Sequence, residues 1–211
     1  MSTQTQTLTN TKSRIGVRTI VQVGMLAAIA AMLMLMFEIP LPFAPGFYKI
    51  DLSEVPVMIG TFTMGPVAGA IIELVKLVLK VILKGSETMG IGELANFLIG
   101  CGLCVPAGII YKKMRSRKGA VIGMAVGTLF MTVVGCLVNA FVLLPVYAKL
   151  FEMPIEALVG MGTAVNGWIT NLSTFVVFAV APFNLIKGVL VSLIVFLIYK
   201  RISPIFKISH W

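Results

Sequence analysis

Charge is what this sequence has least of: Asp, Glu, Lys and Arg make up 12% of its 211 residues, and only eight residues are acidic. A water-soluble domain of this length would lack the polar residues to cover itself. Lipid is therefore its solvent. The one histidine is His210, near the C-terminus, which excludes H-E-x-x-H zinc chemistry and a Ser–His pair, and no facing carboxylates stand in for them. No G-x-x-x-x-G-K-[ST] phosphate loop occurs, so the chain cannot hydrolyse ATP by itself. Cysteine is scarce as well. Cys101 and Cys104 form a C-x-x-C with no second pair to complete a zinc site, inside an apolar run where a redox pair would not sit, and helix packing is their reading. Alternating ten-residue segments are missing too: VLVSLIVFLIY from Val189 has no period of two, which excludes a β-barrel.

What the chain has in abundance is apolar length, with 58% hydrophobic residues and a mean hydropathy of +1.02. Crossing a hydrocarbon core of about 30 Å takes roughly 20 helical residues. A first helix is expected over Arg18 to Phe37, stopped by Pro40, Pro42, Pro45 and Gly46. After a proline-rich loop to about Ile50, Asp51 or Ser53 is expected to cap a short second helix ending near Gly65. Pro66 suits the first turn of a third helix reaching Lys84. The fourth covers Ile91 to Tyr111, and the fifth runs from Ala120 to Leu144, closed by Pro145. Within Val146 to Ala181 the apolar piece LSTFVVFAVA after Asn171 is too short to cross alone and is expected to be interfacial or partly inserted, with Pro182 opening a sixth helix to Lys200; one long kinked helix from Leu172 is the alternative. The fold class is thus an all-α membrane protein, a bundle of six transmembrane helices over residues 18–202 between tails 1–17 and 203–211. Residues 1–16 are polar and the apolar run after them is too long for a cleaved signal, so the first span reads as retained.

The net charge of +9 lies beside the spans and not among exposed aromatic residues, so it orients the chain and marks no nucleic-acid surface. Lys12, Arg14 and Arg18, the run Lys112, Lys113, Arg115, Arg117 and Lys118, and Lys200, Arg201 and Lys207 have no acidic neighbours. The opposite loops mix Lys49, Lys84 and Lys149 with Glu38, Asp51, Glu87, Glu152 and Glu156. By the positive-inside rule both termini are cytoplasmic.

Polar residues inside spans are expensive and so carry information. Glu73, Lys76 and Lys80 share one helical face, which fits either a ligand site or an internal Glu73–Lys76 pair with Lys80 reaching the headgroups. Asn96 stands alone on the fourth helix. Asn184 and Lys187 share a face, and counting residues from the cytoplasmic side puts them and Asn139 in the outer half. Helix-to-helix hydrogen bonding would explain one of them; three together under a proline-rich outer loop favour a pocket. Small residues at spacing four, Gly119–Gly123–Gly127, Gly65–Gly69 and Ala27–Ala31, mark close helix contacts.

Taken together, YKIDLSEVPVMIGTFTMGPVAGA from Tyr48, GELANFLIG from Gly92, NAFVLLPVY from Asn139 and PFNLIKG from Pro182 give the chain its family likeness. It resembles the riboflavin-specific S components of energy-coupling-factor (ECF) transporters over nearly its whole length. The resemblance implies a six-helix bundle in a bacterial cell membrane that binds riboflavin near its outer face beneath the loop joining the first two helices, and it leaves open whether FMN or flavin analogues are further ligands. Asn139, Asn184 and Lys187 match the family's polar flavin-binding positions, Asn96 accompanies them, and Leu41, Phe43 and Tyr48 of the loop suit the flat apolar ring. Ala27 and Ala31 resemble the docking surface for a transmembrane coupling subunit, which works with two ATPases. The chain then needs no cofactor of its own, and its partner subunits use the ATP. The rival reading is a stand-alone ion-coupled secondary transporter; the paired broken helices and internal repeat that usually mark one are not evident in the sequence.

Overall fold

The computed structural model describes residues 16–40, 48–86, 88–150 and 152–208, with side chains to residue 198. Helix α1 (Val17–Met36) leads through a two-residue strand β1 (Ile39–Pro40), paired antiparallel with β2 (Lys49–Ile50) so that Ile39 faces Ile50, into α2 (Glu54–Met64). Ser53 stands at the start of α2 without a capping bond; instead Asp51 Oδ1 accepts the Ser53 backbone N–H at 2.8 Å and shapes the turn. The expected side-chain cap is therefore replaced by a turn one step earlier in the chain. Gly65, at φ 101°, supplies the left-handed backbone joining α2 to α3 (Pro66–Lys84), and Pro66 takes the first turn as anticipated. Then follow α4 (Ile91–Lys113) and α5 (Arg117–Val138).

The two later prolines do not act as the sequence suggests. Pro145 does not close a helix: α5 passes through a π-helical turn (Asn139–Leu143) into α6 (Leu144–Leu150), one rod of 34 residues. After the short α7 (Ile155–Thr163), Pro182 does not open a helix either. A second rod begins at α8 (Leu172–Phe175), passes a π turn (Val176–Val180) and continues as α9 (Ala181–Ile208). The long helix from Leu172, held above as the alternative, is the one adopted. Both rods use the same device. Proline has no N–H, and its ring collides with the carbonyl four residues back in a regular α-helix. Here the residue just before each proline, Leu144 or Ala181, donates to the carbonyl five back, Asn139 or Val176. The wider turn accommodates the ring without breaking the rod.

Among the described residues four helical stretches are long and apolar enough to cross a membrane: Val17–Met36, Ile91–Lys113, Arg117–Leu150 and Leu172–Ile198. The protein is an all-α multi-pass membrane protein. α3, with 19 residues, carries buried charge, and α2, with 11, is short for a span. Large apolar side chains such as Ile82, Phe141, Trp168 and Leu197 point outward, as lipid permits. One core cluster gathers Ala27, Met58, Phe62, Ile72, Leu103, Met131 and Val191, and a second gathers Tyr48, Ile50, Leu144, Leu158, Ile169, Phe175 and Phe183. The glycine repeat on α5 is a contact with α4: a Cβ on Gly127 would come within 2.5 Å of the Leu103 carbonyl, and one on Gly123 within 2.8 Å of that of Ala107.

The expectation for Ala27 and Ala31 needs correcting. Both are buried within this chain, 0% and 1% exposed, where Ala27 joins the core cluster formed with α2 and α3. Their small side chains let α1 lie close to its own neighbours, so they are not surface for another subunit. The outward flank of α1 is instead Val21, Gly24, Met25, Ala28, Ile29 and Met32.

Candidate functional site

The interrupted rods turn two carboxamides inward at the same level. Asn139 is the first residue of the first π turn; its Nδ2 donates to the Gly135 carbonyl one turn back, at 2.7 Å, and its Oδ1 accepts the Tyr48 hydroxyl at 2.6 Å. Asn184 lies just beyond the second π turn, and its Nδ2 donates to the Val180 carbonyl at 2.9 Å. Its Oδ1 is buried with no partner among the described residues. Gly135 makes this possible, because a Cβ there would stand 2.6 Å from Asn184 Nδ2. One turn along α9, Lys187 donates to Asp51 Oδ2 at 3.1 Å and lies 3.7 Å from Glu54 Oε1. Asn139, Asn184 and Lys187 are all 5% exposed or less.

Behind Lys187 lies an ion network that fastens α2 to α3. Lys76, fully buried, sits 2.7 Å from Glu73, 3.1 Å from Glu54 and 3.1 Å from Ser53 Oγ. Gly100 of α4 leaves the space that the Glu73 carboxylate fills. The internal Glu73–Lys76 pair read from the sequence is present, but Lys80 turns to Glu93 of α4 and not toward headgroups. Asp51 and Glu54 were missed as members of this network. Their signal was faint: two acidic residues in DLSE, at the start of a short apolar helix, with unmatched lysines elsewhere in the spans.

Asn139, Asn184 and Lys187 line an inner cavity of about 140 Å³, also bounded by Tyr48, Asn96 and Phe183. It adjoins an outer chamber of about 480 Å³, with Lys49, Asp51, Asn96 and Tyr147 common to both. The outer chamber adds Glu38, Lys80, Lys84 and Thr88. Burial would raise the Glu38 carboxyl, but hydrogen bonds from Lys49 at 2.7 Å and Lys84 at 3.2 Å outweigh it and hold the group below the usual carboxylate range. Five of the seven residues anticipated around a ligand thus border the inner cavity; Leu41 and Phe43 lie outside the described residues. Tyr147 and Phe183 also border it and were not anticipated, since an aromatic residue in an apolar helix looks like any other. Among the described residues no group of three or more His, Cys, Asp or Glu could hold a metal ion.

Residues 18–199 match the family model described as the ECF transporter substrate-specific component. The chain belongs to that family. It is a transport component, not an enzyme. Among the relatives of this S component are the riboflavin transporter RibU of Staphylococcus aureus (strain TCH60), 36% identical over 188 residues, covering 89% of this chain and 92% of that one, and the riboflavin transporter FmnP of Bacillus subtilis (strain 168), 34% identical over 189 residues, covering 89% and 93%. The fold also matches a solved structure of the S component of a bacterial ECF transporter, with a TM-score of 0.69 and 35% identity, over 90% of this chain and 98% of that one.

Proposed function

We propose that this S component captures riboflavin at the outer face of a bacterial cell membrane, with Asn139, Asn184 and Lys187 reading the flavin ring. What carries the reading is the convergence of two carboxamides and an ammonium on one buried cavity. The pyrimidine edge of an isoalloxazine alternates carbonyl and N–H groups. A carboxamide offers an acceptor and donors to such an edge, and an ammonium supplies donors to a carbonyl. Asn184 Oδ1 is an acceptor without a donor among the described residues, which an imide N–H would satisfy. Asn96 and Tyr48 border the same space, and Leu41 and Phe43 precede Tyr48 in the chain. FMN and flavin analogues share the ring edge and belong to the same ligand class. The names of the relatives support riboflavin.

In this reading six spans, formed by α1, α2, α3, α4 and the two rods, make one membrane unit over 18–202, with both tails cytoplasmic on the strength of the basic run at Lys112 to Lys118. Energy comes from a transmembrane coupling subunit and two ATPases. The coupling subunit meets the outward flank of α1 at Gly24 and Ala28, where small side chains face away from the bundle.

Purified protein saturated with riboflavin should be yellow with a flavin absorption spectrum, and Asn184→Ala should weaken binding by about tenfold, the worth of a buried hydrogen bond. Unchanged affinity would remove Asn184 from the site. Ala28→Trp should leave riboflavin binding near wild type while cellular uptake collapses, whereas normal uptake by that variant would move the docking face elsewhere.

A further inference from the structure

Asn139, Asn184 and Lys187, three of the polar groups that line the inner cavity, are not equally ready for a ligand. Asn184 Oδ1 has no partner among the described residues. Lys187 has three N–H donors and gives one to Asp51. Asn139 is different: its Nδ2 is engaged with the Gly135 carbonyl and its Oδ1 with the Tyr48 hydroxyl, the shorter of the two bonds at 2.6 Å. Tyr48 is itself 6% exposed, and its ring lies against Phe183 and Phe175, at centroid distances of 5.1 and 6.2 Å. The phenol therefore fills, with a flat ring and a single donor, the position a flat ligand with an N–H would take. Space gives a second argument. The inner cavity of about 140 Å³ is well below the roughly 300 Å³ at which small-molecule pockets begin. The adjoining chamber of about 480 Å³ is large enough but is not lined by Asn139, so a tricyclic ring seated there stops short of that carboxamide while Tyr48 remains in place.

We propose that Tyr48 is an internal stand-in for the ligand: its hydroxyl occupies Asn139 Oδ1 in the empty protein, and riboflavin displaces it, taking over both the acceptor and the aromatic contact with Phe183. The proposal rests on the riboflavin reading above. Tyr48 then sets affinity by competition and does not contribute a contact to the bound vitamin. Its hydrogen bond also keeps a buried carboxamide satisfied between transport cycles, when an orphaned acceptor would be costly.

Flavin fluorescence quenching by the purified full-length protein provides the test. Tyr48→Phe removes the competing hydroxyl and keeps the ring, so riboflavin should bind about threefold to tenfold more tightly. In an Asn139→Ala background the same change should bring no gain, because the hydroxyl no longer has that acceptor to block. Weaker or unchanged binding by Tyr48→Phe, with Asn139→Ala still impaired, overturns the stand-in and leaves the site reading intact. If Asn139→Ala itself binds riboflavin like wild type, the site reading fails first, and the proposal with it. Should Tyr48→Phe not fold, the wild-type protein answers directly: with its four tyrosines labelled at the ring carbon bearing the hydroxyl, the buried Tyr48 resonance should move on riboflavin saturation, and a stationary resonance overturns the exchange.

Discussion

Among the described residues two lysines are buried, and they are held in different ways. Lys76 donates to Glu54 and Ser53 and forms an ion pair with Glu73 at 2.7 Å, so three partners close around it. Lys187 has one close partner, Asp51, a distant second in Glu54, and a cavity beside it. An ammonium enclosed by three partners is a fastener, and one beside a cavity is an invitation. The difference teaches that one residue type can be enclosed by partners in one place and border open space in another, and under the proposed function only the second lysine is placed to meet a ligand.

The comparison can be broken by removing each charge in turn. Lys76→Met would strand the carboxylates of Glu54 and Glu73 in a fully buried setting, and losing one partner of such a pair costs about 3 to 5 kcal/mol. The variant should express poorly or lose most of its thermal stability in detergent. Lys187→Met should instead remain folded, with riboflavin affinity reduced about tenfold or more, since a hydrogen bond to a charged group is worth roughly 1.5 to 3 kcal/mol. If Lys187→Met unfolds like Lys76→Met, the division between fastener and ligand group is wrong.

The half-exposed lysines extend the series to its weak end. Lys49 and Lys84 share Glu38 near the surface. Because the Glu38 pKa is lowered on folding, its contribution is present above the ordinary carboxylate value and fades as pH falls through the lower folded one. Stability between about pH 5 and 3 should therefore drop slightly less in Glu38→Gln than in wild type, by no more than about 1 kcal/mol for pairs so exposed. A larger difference on thermal melts across that range would show that the outer chamber is fastened as firmly as the core.

Much of the site was legible because lipid makes polarity expensive. Asn139, Asn184 and Lys187 stand out in apolar runs, and all three reach one cavity. Asp51 was harder to interpret, since an acidic residue before a helix reads as a cap, and only the fold brings Lys187 of α9 to it across 136 positions. The face of α1 was ambiguous for a simpler reason: Gly24, Ala27, Ala28, Ala30 and Ala31 surround much of the helix, so a spacing of four fits more than one side. Pro145 and Pro182 misled because proline reports only that a regular ladder cannot continue. It does not say whether the chain will stop or widen by one residue.

That extra residue in each rod changes the angular phase of everything after it. Eight residues of regular helix, at about 100° each, end about 80° from where they began. When a π turn absorbs one of the eight, the remainder complete nearly two whole turns, and the first and last side chains point the same way to within about 20°. Asn139 and Tyr147 are such a pair, and both border the inner cavity. Phe175 and Phe183 are another, and both flank the ring of Tyr48. Deleting one residue from either π turn would restore an ordinary helix and rotate its half of the cavity wall out of phase with the other.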